Sequence, residues 1–253
     1  MPVPATRESP VAPDRAALLA LQHGAGNRAV GRLLRARGSV GGRRLQRKLT
    51  ATGDAAGFAA LANRVIGVQH EVVVDSAGDV SLRQTDIQGP PTPEAAELVR
   101  VLQLVIGDTN TVSIEFIHGL TSTRASDARV LGGSFPQSKV DLDDEAARGT
   151  QGEVGVGMGV TAGALLVHEI LEQYRKQVFS EDFATAHAAA LAAEGTAIGA
   201  PRGASTSRQL NATTKEVTTT YTYPNGRVVE VIWDVTANNI SNVRRRVVSP
   251  GTP

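Results

Sequence analysis

Apolar and polar positions change their period several times along the chain, and each change predicts a different element. Apolar side chains recur at helical spacing over residues 55–65, and a second helix should run from Pro93 to about Ile106 with Thr92 as its N-cap. Four further segments have the pattern of strands: 70–75, 80–85, 111–117 and 138–144. This order of helices and strands predicts an α+β fold rather than a regular parallel βαβ array.

A pair of helices should follow these elements. The first is predicted over residues 161–178, and only one or two residues separate it from the second. In the second helix Ser180 is placed as the N-cap, Glu181 and Asp182 lie in the first turn, and Gly195 suits the end. So short a connection predicts that the two helices fold back as an antiparallel hairpin.

The spacing of charged residues within this hairpin points to one shared site. His168 and Glu172 are four residues apart, so they project from the same face of the first helix. If the hairpin folds about a midpoint between Phe179 and Ser180, His187 on the returning helix lies at the level of Glu172. The sequence therefore predicts that one imidazole, one carboxylate and a second imidazole meet.

These side chains suit a metal ion, and zinc above all. Zinc accepts imidazole nitrogen and carboxylate oxygen, and a catalytic zinc site has three protein ligands and a water molecule. His168, Glu172 and His187 would be the ligands, and Glu169 would take the proton of that water. Glu194 lies two turns beyond His187 and would either support a ligand or complete the site. The alternative is an ordinary i,i+4 ion pair on a helix surface.

The segment "LLVHEILEQ" resembles the active-site helix of the zincin peptidases. The resemblance implies that His168 is the first zinc ligand, that Glu169 is the general base, and that Glu172 occupies the position of the usual second histidine. Glu172 departs from the family pattern, and His187 would supply the missing imidazole. The ligand set is thus preserved in kind but rearranged.

Positive charge is concentrated at the N-terminus. Residues 1–53 contain ten basic and two acidic residues and therefore have a net charge of +8. The remainder of the chain has a net charge of −7, so the whole chain has +1. This part is also rich in Pro and Gly, which predicts a disordered basic arm. Nucleic acid is not an expected partner, because no aromatic residues are interleaved with the basic ones.

Within the arm, "LQHGAGNRAVGRLL" followed by "LQRKL" resembles the N-terminal segment of many actinobacterial proteins encoded near extracellular contractile injection systems. The matching positions are Leu21, Gln22, Gly26, Asn27, Ala29, Val30, Leu33 and Leu34. Many of those proteins carry a zinc-peptidase-like domain downstream. The resemblance implies a cargo or toxin that binds injection-system components through its arm. Such a protein would be cytoplasmic in the producing cell and then be loaded into a particle for delivery.

Other features of the sequence limit the remaining possibilities. There is no cysteine, which excludes disulfides and thiolate ligands. We expect no signal peptide and no transmembrane segment, because no apolar run approaches about 20 residues. His118 follows a predicted strand and is expected to be a packed or loop histidine. The acidic run at Asp141, Asp143 and Asp144 lacks the glycine and glutamate of a calcium loop, so a strand running into a turn is predicted there.

The predicted organisation has four parts: a disordered basic arm (1–53), a metallopeptidase-like domain (54–200), a polar linker or loop (201–213) and a C-terminal β-hairpin extension (214–253). The hairpin turns at "PNG", and residues 243–248 add a third strand. The predicted fold is a zincin-like helix hairpin with a small mixed or antiparallel sheet. The predicted function is that of a zinc-dependent peptidase, a hydrolase acting as a toxin or effector on a peptide or protein substrate. The competing prediction is a non-catalytic interaction or structural protein of the injection system, with a degenerate peptidase fold and no metal.

Overall fold

The computed structural model of the protein describes residues 48–67, 69–87, 89–150 and 157–252. These ranges contain five α-helices: α1 (Ala55–Ile66), α2 (Pro93–Ile106), α3 (Leu142–Thr150), α4 (Ala162–Phe179) and α5 (Phe183–Ile198). The first sheet contains β1 (Lys48–Gly53), β2 (His70–Val74), β3 (Asp79–Gln84), β4 (Thr111–Ile117), β5 (Gly133–Ser134) and β6 (Lys139–Asp141). The second contains β7 (Arg202–Gln209), β8 (Thr214–Thr222), β9 (Arg227–Thr236) and β10 (Asn239–Pro250). The predicted α+β class is confirmed.

The first sheet is mixed, with strand order β2-β3-β1-β4-β6-β5. β1, β4 and β6 are parallel to one another, whereas β3 pairs antiparallel with β1 and β5 pairs antiparallel with β6. β5 is therefore an edge strand of only two residues. Helices α1, α2, α4 and α5 share one buried apolar core with this sheet, in which the rings of Phe58 and Phe116 stack at 4.2 Å.

The predicted boundary of the basic arm at residue 53 is wrong, because residues 48–53 form β1. Leu49 pairs with Val80 of β3 on one side and with Val112 of β4 on the other. Leu49 and Ala51 are fully buried, so β1 is an inner strand of the sheet. The alternation of apolar and polar residues in β1 covers only six residues and directly follows a run of basic residues, so the sequence pattern did not predict a strand there. The rest of the predicted arm, residues 1–47, lies outside the described residues.

Helix ends agree with the sequence prediction at α2 and differ from it at the hairpin. The predicted bounds of α2 are confirmed, and the Thr92 hydroxyl accepts a hydrogen bond from the backbone of Ala95 at 3.1 Å. Ser180, predicted to cap α5, instead ends α4 in the left-handed conformation at φ 56°. Asp182 is the cap of α5. None of the helices in the described ranges combines the length and the apolar character needed to cross a membrane.

Gly195 does not end α5 as predicted but lies inside it, and the helix ends at Gly199 with φ 76°. The reason is close packing, because a Cβ atom at position 195 would lie 3.2 Å from the carbonyl oxygen of Ala200. Glycine at this position therefore allows the chain just before β7 to lie close to α5, and it does not form a turn.

The acidic run after β6 enters a helix and not the predicted turn. Asp141 is the last residue of β6, and Asp143 and Asp144 lie in the first turn of α3. The Asp144 carboxylate accepts hydrogen bonds from the backbone of Gly132 at 2.8 Å and of Ile240 at 3.1 Å. Asp141 accepts from Gly119 at 3.1 Å. These carboxylates tie separate segments of backbone to the start of α3.

His118 belongs to the same network. Its Nδ1 lies 2.7 Å from the Asp143 carboxylate, and its Nε2 lies 2.7 Å from that of Asp54, the N-cap of α1. The hydrogen bonds to Asp143 and Asp54 raise the pKa of His118. The imidazole thus joins the carboxyl ends of β1 and β4 to α3. His118 is a loop histidine, one of the two predicted alternatives, and both of its nitrogens are bonded.

The second sheet is antiparallel, with order β10-β9-β8-β7. The predicted hairpin at "PNG" is confirmed between β8 and β9, and the predicted third strand is β10. The predicted linker at 201–213 is wrong, because β7 pairs with β8 along most of its length. No residue of β7 is buried, so the strand has no apolar side to reveal its period. The sheet packs on α4 through an apolar cluster that contains Leu165, Tyr221 and Val231.

Truncation tests the new boundary of the folded part. Removal of residues 1–45 keeps β1 whole, so we expect the melting temperature to change little, because the deleted segment has too few apolar residues for a core. Removal of residues 1–53 deletes a strand that is paired on both sides, and this variant should fail to give a cooperative melting transition by circular dichroism. Equal stability of the two variants would contradict the placement of β1.

Candidate metal centre

Two antiparallel helices form the candidate centre. Thr161 caps α4 by accepting a hydrogen bond from Ala164, and α4 is buried over most of its length between the first sheet and the second. His168 and Glu172 lie in this buried part and are 4% and 3% exposed. His187 on α5 faces them, with a third of its side chain exposed. The centre is therefore closed on the side of α4 and open on the side of α5.

The structure brings His168, Glu172 and His187 together, as the sequence predicted. His168 Nε2 lies 3.1 Å from His187 Nδ1, and His187 Nδ1 lies 2.7 Å from Glu172 Oε2. The third separation, from His168 Nε2 to Glu172 Oε2, is 3.6 Å. Zinc bonds of about 2.0–2.1 Å at tetrahedral angles place two ligand atoms about 3.3 Å apart. The three ligand atoms are therefore about as far apart as ligands of one metal ion.

Without a metal the same groups form an ion cluster. Burial raises the pKa of Glu172, but its close contacts with His168 and His187 outweigh burial and bring it to about 2. Burial lowers the pKa of His168, but the nearby carboxylates of Glu172 and Glu194 outweigh this effect and raise it to about 10. A metal ion at this position would have to displace the proton of His168.

Glu194 lies behind His168, and not among the three converging ligand atoms. Its Oε2 is 2.9 Å from His168 Nδ1, although the ring is not well aligned for a hydrogen bond. The Tyr221 hydroxyl donates to Glu194 Oε1 at 3.0 Å, and Arg202 Nη1 donates to Oε2 at 3.2 Å. Of the two predicted roles for Glu194, this geometry fits the support of a ligand, because a carboxylate behind an imidazole fixes the orientation of the ring.

Glu169 lies against β5. A Cβ atom at Gly133 would lie 1.8 Å from Glu169 Oε2, so only glycine leaves room for this carboxylate. Glu169 is 7% exposed, and its Oε2 has no hydrogen-bond partner among the described residues. Burial raises the pKa of Glu169. The charge of His168 opposes this shift, and the charge of Glu172 adds to it. The carboxyl group is thus buried beside β5, with one oxygen unpaired among the described residues.

A buried ion pair of α3 borders this carboxylate. Arg148 donates a hydrogen bond to Glu145, and Glu145 is fully buried. Burial raises the pKa of Glu145 to about 8; Arg148 opposes this shift and the charge of Glu169 adds to it. The positive charge of Arg148 in turn lowers the pKa of Glu169. Arg148 therefore compensates part of the negative charge that converges at the centre.

Sequence reasoning missed four residues of this environment. They are Glu145, Arg148, Arg202 and Tyr221. Arg202 fell in a predicted linker, and Tyr221 had only the alternation of a strand, so neither carried a local signal of its contact with Glu194. Glu145 and Arg148 have the spacing of a helical pair, but that spacing says nothing about which other elements they approach.

Comparisons with known proteins do not identify this centre. None of the protein-family models, curated proteins or solved structures matches this chain. The assignment of a function therefore depends on the convergence of His168, Glu172 and His187 and on the groups around them.

Proposed function

We propose that the protein is a zinc-dependent peptidase of the zincin type, with His168, Glu172 and His187 as the metal ligands. The observation that carries the proposal is the convergence of these side chains from α4 and α5, with ligand-atom separations of 3.1, 2.7 and 3.6 Å. Their nitrogen and oxygen donors suit zinc. Zinc bound there would lower the pKa of a coordinated water to about 7 and polarise a substrate carbonyl.

Glu169 is the proposed general base. It follows the first ligand in the sequence, and β5 holds its carboxylate in place. Because Oε2 has no partner among the described residues, the carboxylate is free to accept a proton and to pass it to the leaving amine. Burial raises its pKa, which strengthens the carboxylate as a base.

An extended peptide is the proposed substrate. β5 is an edge strand of the first sheet and lies directly against Glu169. Edge strands bind extended peptides through backbone hydrogen bonds, which hold a peptide without selecting its side chains. Such a peptide would pass beside Glu169 and the open side of His187.

A role as a toxin or effector delivered by a contractile injection system is a further part of the proposal. It depends on the resemblance of residues 21–34, which lie outside the described residues. Deletion of residues 1–45, which leaves β1 intact, should abolish co-purification with injection particles.

The competing proposal is a non-catalytic protein without a metal. One observation favours it, because His187 and Glu172 already lie within hydrogen-bond distance of each other at 2.7 Å. Protons alone can therefore hold the cluster together. Metal content separates the two proposals directly.

We expect protein purified without chelator to contain close to one zinc ion per chain. His168→Ala and His187→Ala should each weaken zinc binding by more than about 100-fold, because each removes one ligand. His70→Ala is the matched control, since His70 lies on β2 and outside the centre. Competition with a chelating dye measures the affinities, and full affinity in either ligand variant would show that the ligand set is wrong.

Glu169→Gln should keep zinc and lose peptide hydrolysis by about 10²- to 10⁴-fold, because the amide keeps the shape of the side chain but cannot accept the proton. Glu71→Gln, at an exposed position of β2, is the control and should leave the rate unchanged. Turnover of a fluorogenic peptide mixture gives the rates, and zinc analysis is done on the same samples. An unchanged rate for Glu169→Gln removes this mechanism.

Tyr221→Phe should lower zinc affinity by about 10-fold through the loss of one hydrogen bond to Glu194. Tyr223→Phe is the matched control, because this hydroxyl lies two residues away on the same segment and accepts a hydrogen bond from Gly159 instead. Both variants lose one hydrogen bond, so their melting temperatures should be similar. If the two also had equal zinc affinities, Glu194 would not be supporting His168.

A further inference from the structure

Two aromatic side chains stand on the open side of the candidate metal centre. Phe183, the first residue of α5, is 52% exposed, and its ring stacks on that of His187 with centroids 4.8 Å apart. The ring of Phe135 meets Phe183 edge to face at 5.4 Å. The pair thus continues directly from a proposed zinc ligand to the segment that follows β5.

Phe183 is the exposed member of the pair, whereas Phe135 is half-buried. Phe58 and Phe116 stack on each other in the core, and Phe179 packs edge to face on Tyr174 at 5.4 Å. Only Phe135 and Phe183 of the five lie together beside the centre. An exposed aromatic ring forgoes the free energy of burial, so apolar surface beside a reactive centre is a feature of binding sites.

The position of Phe135 is fixed by α4. Lys176 donates hydrogen bonds to the backbone carbonyls of Phe135 and Pro136 and to the Ser138 hydroxyl. Its ammonium nitrogen also lies 5.1 Å from the centre of the Phe135 ring. Lys176 is one helical turn beyond the proposed ligand Glu172, so the same helix sets the metal ligand and the aromatic ring. A surface that is already in place loses little entropy when it binds a ligand.

We propose that Phe135 and Phe183 form a platform that receives an apolar side chain of the peptide substrate next to the bond that is cleaved. This inference rests on the proposed peptidase function and adds its preference for a substrate class. A peptide that runs beside β5 and presents a carbonyl near His187 brings a neighbouring side chain onto the two rings. Leucine, methionine and phenylalanine would gain contact there, and the ammonium group of Lys176 disfavours lysine or arginine.

The test uses the full-length, zinc-loaded protein and blocked peptides of alanine and glycine in which one position carries Leu, Phe, Ala, Lys or Glu. The rate constant kcat/KM is measured for each peptide, and mass spectrometry locates the bond that is cut. We expect the Leu and Phe peptides to be cut beside the variable residue and faster than the Ala peptide by about 10- to 100-fold.

Phe135→Ala is the decisive variant, because the ring of Phe135 contacts Phe183 and Lys176, whereas Phe183 itself stacks on the proposed ligand His187. It should remove most of the preference for Leu and Phe and change the rate on the Ala peptide by less than about 3-fold. Phe183→Leu, with zinc content measured, should keep the preference, because leucine retains an apolar surface there. Ile87→Ala is the control, since Ile87 is also 52% exposed but lies before α2.

The outcomes separate this inference from the function on which it rests. A wild-type protein that cuts none of the peptides overturns the proposed function and the platform together. A wild type that cuts the Ala peptide as fast as the Leu peptide overturns the platform alone. The same holds if Phe135→Ala lowers the rates on all peptides by one factor, because a purely structural role of Phe135 would have that effect.

Discussion

The constraint on which the rest of the centre depends is the burial of the Glu194 carboxylate, which has no solvent exposure. A buried charge is tolerated only when partners compensate the loss of water around it. Burial raises the pKa of Glu194, but the close contact with His168 and the charge of Arg202 outweigh burial and bring it to about 2. The ionised form therefore requires partners that come from α4 and from β7, and a third, Tyr221, comes from β8.

This requirement makes the second sheet part of the centre. Arg245 of β10 donates hydrogen bonds to the backbone carbonyl of Arg148 at 2.7 Å and to that of Val160 at 3.0 Å. These carbonyls lie at the end of α3 and just before α4, so one side chain of the sheet fixes where two helices of the centre end and begin. The predicted division into a peptidase-like domain and a C-terminal extension therefore separates groups that act on the same histidine.

The sequence was sufficient to predict that His168, Glu172 and His187 lie together, although the predicted ends of the two helices were wrong. The predicted midpoint lies between residues 179 and 180, whereas the centre of the actual connection between α4 and α5 is Glu181. Because the facing position moves by twice the shift of the midpoint, the difference corresponds to about three residues, or about 4.5 Å along a helix, which the side chains of Glu172 and His187 span. Counting along a hairpin is thus tolerant of small errors in its turn.

The remaining contacts depend on pairing between distant strands, and sequence patterns do not encode such pairing. Asp54 and His118 each follow a strand directly, and the carboxyl ends of parallel strands share one edge of a sheet. Their contact was predictable in principle, but only if β1 had been recognised. The contact of Arg202 with Glu194 needed both β7 and the true end of α5, and neither had a signal in the apolar pattern.

The charge balance of the centre shows what kind of occupant it can accept. Arg148 pairs with Glu145, and its positive charge also acts on Glu169. The pKa values of Glu172 and Glu194 are both lowered to about 2, and Arg202 pairs with Glu194. A positive charge beside Glu172 completes the balance, and either a dication or protonated His168 provides it. In both cases Glu169 Oε2 keeps an acceptor position that no described residue fills. A general base needs such a position, so the proposed mechanism of hydrolysis depends on this unfilled acceptor.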